Sequence, residues 1–136
     1  MNETKMDNAK PAKTAGTLIY VVDDEPMLLE LAAVILEPLG YIVNSFGDPK
    51  DALGAFAAAT RRPDLLITDY AMHSMTGMQL IEGLRRIEPH QKILLVSGTV
   101  GADVFEAQPS KPDHFLAKPY EARQFVRVVD ALLAKT

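Results

Sequence analysis

Asp23 and Asp24 follow directly on the apolar run Leu18-Ile19-Tyr20-Val21-Val22, and Asp69 follows on Leu65-Leu66-Ile67-Thr68. Carboxylates in such places can ligate a hard cation, move protons or act as nucleophiles. Ser97 closes a third run, Ile93-Leu94-Leu95-Val96, and Lys118 closes a fourth, Phe115-Leu116-Ala117. If the runs are neighbouring parallel strands, these groups meet at one sheet edge, where open α/β sheets bind ligands. Like charges about 4 Å apart repel by roughly 4 kcal/mol at an effective dielectric of ~20. A cluster of three acids therefore needs a proton, a cation or a lysine to relieve it. Oxygen ligands suit Mg²⁺, which takes one or two carboxylates and keeps several waters. The metal and Lys118 together would bring three carboxylates close to neutrality. A carboxylate so placed can attack phosphorus and form an aspartyl phosphate, with Mg²⁺, Lys118 and the Ser97 hydroxyl on the equatorial oxygens.

Each of these residues has a plain structural explanation when taken alone. Asp23 and Asp24 stand before Pro26 and would suit the positive end of a helix. Asp69 alone reads as a turn residue, Ser97-Gly98-Thr99 as a loop, and Lys118 as a solvated charge. Their joint placement, at separate strand ends, is what the plain explanations do not supply.

The elements that must position them read clearly. Short apolar runs alternate with helical patterns from Thr17 onward, which argues for a parallel sheet covered on both faces. The first strand is residues 18–22. Pro26 suits a helix's first turn, and Leu28, Leu31, Ala32, Ile35, Leu36 and Leu39 recur on one helical face before Gly40. Strand two is expected over 41–45. Asp48-Pro49 opens a helix burying Ala52, Leu53, Phe56 and Ala57. Strand three is 65–68, and Thr76-Gly77-Met78-Gln79 has capping-box spacing ahead of a helix burying Leu80, Ile81, Leu84 and Ile87. Strand four is 93–96. Two Gly and two Pro in 98–112 leave room only for a short or irregular fourth helix over 102–108. Strand five is 115–117, and a helix over 121–134 buries Phe125, Val128, Val129, Leu132 and Leu133. The expectation is a doubly wound (βα)5 sheet of order 2-1-3-4-5, which makes strands one and three neighbours.

With 136 residues the chain fits one domain, and 48% hydrophobic content can build its core. A net charge of −4 gives no electrostatic case for nucleic acid or an anionic membrane. With no cysteine there is no disulfide, thiolate metal site or cysteine nucleophile. No apolar run approaches the ~20 residues of a membrane span. The expected organisation is a loose polar tail over 1–16 and a soluble, cytoplasmic domain over 17–136.

Four stretches, Val22-Asp23-Asp24-Glu25-Pro26, Asp69-Tyr70-Ala71-Met72-His73-Ser74-Met75-Thr76-Gly77, Ser97-Gly98-Thr99 and Phe115-Leu116-Ala117-Lys118-Pro119, resemble in order and spacing the receiver domain of two-component response regulators. The resemblance covers roughly 17–134. It implies a flavodoxin-like receiver fold in which Asp69 accepts a phosphoryl group from a phosphohistidine on a histidine kinase or phosphotransfer protein. It implies that Asp24, Asp69 and the backbone carbonyl of Ala71 ligate Mg²⁺, with Mn²⁺ able to take its place, while Asp23 acts through water. It further implies that Lys118 pairs with the phosphoryl group, that Ser97 and Phe115 form the coupled switch, and that the Lys118-Pro119 peptide is cis. Such a domain catalyses its own phosphorylation and dephosphorylation and turns over no external substrate.

The chain departs from that pattern in one place, reading Met72-His73 where the family usually reads Met-Pro. Losing proline frees φ and restores an N–H donor. The first helix also carries Met27, Leu29, Ala33 and Val34 beyond its buried stripe, beside the acidic pocket. They suit docking of a partner helix, and ordinary packing or a weak homodimer remains open. A receiver-like interaction module that takes no phosphate is the rival reading, although every expected site position is filled. Enzyme readings fare worse. Asp69-Tyr70-Ala71 lacks the second acid of a haloacid-dehalogenase-type phosphatase, and no dinucleotide or P-loop pattern appears.

Overall fold

The computed structural model describes residues 16–99, 101, 106 and 108–134. The tail expected over residues 1–16, apart from Gly16, and most of the helix expected over 102–108 lie outside the described residues. Five strands, β1 (Leu18–Val22), β2 (Ile42–Phe46), β3 (Leu65–Asp69), β4 (Ile93–Ser97) and β5 (His114–Ala117), form one sheet. All pairings are parallel, in the order β2-β1-β3-β4-β5. The described helices are α1 (Pro26–Leu36), α2 (Pro49–Ala58), α3 (Gly77–Ile87) and α4 (Ala122–Ala134).

The central strands are continuous apolar runs because both of their faces are covered. β1 and β4 are buried throughout, while the edge strands β2 and β5 are largely open to solvent. Two hydrophobic clusters result. One packs Ile19, Val21, Ile67 and Val96 under α1 and α4, through Ala32, Leu36, Phe125 and Val129. The other packs Tyr20, Val22, Leu66 and Leu95 under α2 and α3, through Phe56, Leu80 and Leu84.

Local chemistry sets the helix starts. Pro26 occupies the first turn of α1. Asp48 caps α2 by accepting from the Lys50 N–H at 2.9 Å. Thr76 and Gln79 form a complete capping box at α3. Gly40 ends the short 3₁₀ turn after α1 with φ 100°, a left-handed conformation that glycine adopts freely.

Several expectations shift. β2 runs one residue later than expected because Leu18 aligns with Ile42 and Val22 with Phe46. Ala57 and Ile87, expected inside, are exposed. Leu31, also expected inside, is 48% exposed, whereas Leu29 packs on the core. The buried arc of α1 centres on Ala32. At ~100° per residue Leu29 lies ~60° from that centre and Leu31 ~100° from it.

Candidate functional site

The strand register brings the carboxyl ends together. Val22 aligns with Phe46 and Thr68, Asp69 with Val96, and Ser97 with Ala117. The backbone ladder continues past the strands and holds the polar groups at the edge. Asp23 N–H donates to Phe46 O at 3.1 Å, Tyr70 N–H to Val96 O at 3.0 Å, and Lys118 N–H to Ser97 O at 2.9 Å. Asp23, Asp24 and Asp69 each offer a carboxylate oxygen, and these oxygens lie within 4.8 Å of one another. Lys118 Nζ is 3.4 Å from Asp69 Oδ1 and 3.6 Å from Asp23 Oδ2. The lysine thus reaches both Asp23, directly after β1, and Asp69, which closes β3.

Burial is the main cause that raises the Asp23 carboxyl above its ordinary range. The Glu25 N–H, donating to Oδ1 at 2.9 Å, and the Lys118 charge oppose the rise, while Asp69 and Asp24 reinforce it. Tyr120 closes the inner wall, its ring 5.3 Å from that of Phe125. Burial, then the Asp23 and Asp69 charges, push its phenol up. The cleft among Asp23, Asp69, Lys118 and Tyr120 holds about 20 Å³, room for a single water or small ion. A much larger hollow of about 490 Å³ lies at the opposite end of the sheet, around Arg62, Glu88 and Lys92, away from the acids.

Ser97 is buried, and its Oγ accepts from the Thr99 N–H at 3.1 Å. Phe115 is half-buried and packs on the α2–α3 cluster. The Lys118-Pro119 peptide is cis. A Cβ on Gly98 would stand 3.3 Å from Lys118 Cβ, so the small residue lets the lysine stem pass. Ala71 is exposed on the loop between β3 and α3. Of the four apolar residues singled out on α1, Met27 and Val34 are 78% and 63% exposed, whereas Leu29 and Ala33 are half-buried.

Sequence reasoning missed three features between the end of β3 and the first residue of α3. Gly77 backs directly onto β3, since a Cβ there would stand 2.5 Å from Asp69 O. Ser74 Oγ donates to Asp48 Oδ1 at 2.9 Å, tying the loop to the α2 cap. His73 reaches Asp24, with Nδ1 2.8 Å and its backbone N 3.1 Å from Oδ2. The one signal available beforehand was the departure from the usual Met-Pro pair.

The family model for the response regulator receiver domain matches residues 19–130. This chain belongs to that family. The probable transcriptional regulatory protein TcrX of Mycobacterium tuberculosis is 29% identical over 119 residues, covering 87% of this chain and 50% of TcrX. The chain spans about half the length of several such regulators. A CheY-like receiver domain from Methanospirillum hungatei superposes with TM-score 0.80 at 24% identity, covering 88% of this chain and 95% of that one. The response regulator TrrA of Thermotoga maritima, solved in complex with Mg²⁺ and BeF, matches with TM-score 0.74 at 25% identity, covering 85% of this chain and 98% of that one. Receiver domains are signalling switches, and this one carries the acidic cluster that can hold a metal. Among the described residues no helix is long and apolar enough to cross a membrane.

Proposed function

We propose that this domain is the phosphoacceptor of a two-component phosphorelay and that Asp69 takes the phosphoryl group. The observation that carries the reading is Lys118 Nζ lying between Asp69 and Asp23 at the carboxyl edge of the sheet, within the acid cluster. A carboxylate oxygen of Asp69 attacks the phosphorus of a phosphohistidine. The P–O bond forms, the P–N bond breaks, and the departing imidazole recovers its electron pair and takes a proton. Lys118 stands where it can hold the charge that develops on the transferred group.

The donor set is all oxygen and fits Mg²⁺, with Mn²⁺ as a substitute. Asp24, Asp69 and the Ala71 carbonyl are the proposed direct ligands, and Asp23 acts through water. A bound cation supplies charge neutralisation on the phosphoryl oxygens. Ser97 exchanges its present bond with Thr99 for the phosphoryl group, and Phe115 responds by moving further inward. The donor is a cytoplasmic histidine kinase or phosphotransfer protein, and Met27 and Val34 offer it an exposed apolar strip on α1. The domain, residues 17–136 behind an N-terminal tail, binds no nucleic acid itself.

The test is labelling by acetyl phosphate with Mg²⁺, read by intact mass, with Asp69→Asn as control. Labelled wild type and unlabelled D69N are expected. A wild type that stays unmodified, under conditions that label another receiver, overturns the reading in favour of an interaction module acting without phosphate.

A further inference from the structure

At position 73 the chain departs from the family's usual proline, and the residue found there makes a specific contact. His73 sets two nitrogens on one carboxylate oxygen. Its backbone N–H donates to Asp24 Oδ2 at 3.1 Å, and its ring Nδ1 lies 2.8 Å from the same atom. Proline could supply neither, having no N–H and no ring donor. Nδ1 donates whenever it bears the hydrogen, as it does in the imidazolium and in one neutral tautomer. The acid after β1 is thereby tied to the loop after β3, which also carries Ala71. The same loop is held a second time by Ser74 on Asp48.

The imidazole is 93% exposed, while the Asp24 side chain is 17% exposed. So exposed a contact adds little to stability. What it does determine is the direction of the carboxylate. Carboxylates that ligate metals are commonly held by hydrogen bonds from behind, and losing such a partner typically costs ~10–100-fold in affinity. We propose that His73 is a positioning residue for the divalent cation. It holds Asp24 by Oδ2, and so fixes the orientation of the carboxylate that would ligate the ion and the position of the loop that carries Ala71. The two hydrogen bonds do by attachment what proline does by stiffness. The inference rests on the acid cluster being the Mg²⁺ site proposed above.

The test is calorimetric titration of the full chain with Mg²⁺ alone, in wild type, Asp24→Asn, His73→Ala and His73→Asn, with metal-free melting temperatures measured alongside. His73→Ala keeps the backbone donor and loses the ring, and His73→Asn offers an amide donor at similar reach. The expected result is about tenfold weaker Mg²⁺ binding in H73A, recovery in H73N, and one melting temperature for wild type, H73A and H73N. Unchanged or tighter binding in H73A, while D24N loses binding, overturns the positioning role and leaves the metal site standing. A wild type that binds no Mg²⁺ overturns the site itself and the inference with it. A parallel Mn²⁺ titration covers direct ligation, since imidazole favours transition metals. Loss confined to Mn²⁺ in H73A, without rescue in H73N, would make His73 a ligand and overturn the positioning role.

Discussion

Asp23→Asn should stabilise the metal-free protein even though it removes one of the two carboxylates that Lys118 touches. The attraction lost, across 3.6 Å, is about 5 kcal/mol at an effective dielectric of ~20. The repulsions lost are larger. Ligand oxygens of Asp24 and Asp69 lie within 4.8 Å of that of Asp23, so on the same scale each repulsion is at least about 3.5 kcal/mol, or about 7 together. The excess of about 2 kcal/mol is joined by the cost of burying an ionised group. Asparagine retains a carbonyl oxygen to accept the Glu25 N–H now 2.9 Å from Oδ1. With screening by solvent at the open end of the cleft, the net gain should be about 1–2 kcal/mol, or roughly 3–6 °C in melting temperature. The pH dependence has a definite sign. Because the folded carboxyl is raised above its ordinary 3.8, the stability linked to Asp23 is fully present below that value and is lost as pH rises through the raised one. Thermal melts in EDTA should therefore show the two proteins converging in acid and separating toward pH 7, with D23N the more stable. Saturating Mg²⁺ should narrow or reverse the gap, since a cation at 100 times its dissociation constant adds about 2.7 kcal/mol. A D23N protein that melts at or below wild type in EDTA at pH 7 would refute the reasoning, because the Lys118 pair would then outweigh repulsion and burial combined.

Gly77→Ala should cost about 1–3 kcal/mol in urea unfolding and slow Asp69 labelling, because the added Cβ meets Asp69 O at 2.5 Å and Leu95 Cδ1 at 2.9 Å. Full stability in that variant would mean that α3 can back away from β3. Lys118→Met should tighten Mg²⁺ binding about tenfold at low salt while lowering Asp69 labelling, since it removes a positive charge from beside two of the acids. Unchanged affinity by calorimetry would sink the view that lysine and cation compensate the same charge. Thr76→Ala should lose about 1 kcal/mol through the capping box of α3, and equal urea midpoints would show that the cap is dispensable.

The sheet was readable because its central strands are buried on both faces and therefore appear as unbroken apolar runs, each ending in a polar group. The acids were readable for the same reason, as a polar residue directly after such a run must lie at the sheet edge, whereas Lys118 follows a shorter run on the edge strand β5. The α3 capping box was legible because it is local, spanning only Thr76 to Gln79. The misses depend on geometry that no local pattern encodes. His73 and Asp24 are 49 residues apart in the chain, and their contact follows from the path of a loop. Gly77 matters because of what lies behind it. Leu29 and Leu31 are chemically identical, and only the rotation of α1 against the sheet decides which one packs.

The two hydrophobic clusters on either side of the sheet have a consequence for how this molecule can change over time. Side chains alternate along a strand. Val21, Ile67 and Leu116 face α1 and α4, so continuing the alternation carries Asp23, Asp69 and Lys118 to that side. Leu95 and Phe115 face α2 and α3, and Ser97 follows them. In the proposed scheme the sheet is then a partition between writing and reading. Drift among residues under α2 and α3 that back neither Asp69 nor Ser97, as Gly77 backs Asp69, could retune what a phosphorylated molecule tells its partners with little effect on the rate of marking. Drift under α1 and α4 could do the reverse. A lineage could thus alter its vocabulary and its timing by separate mutations.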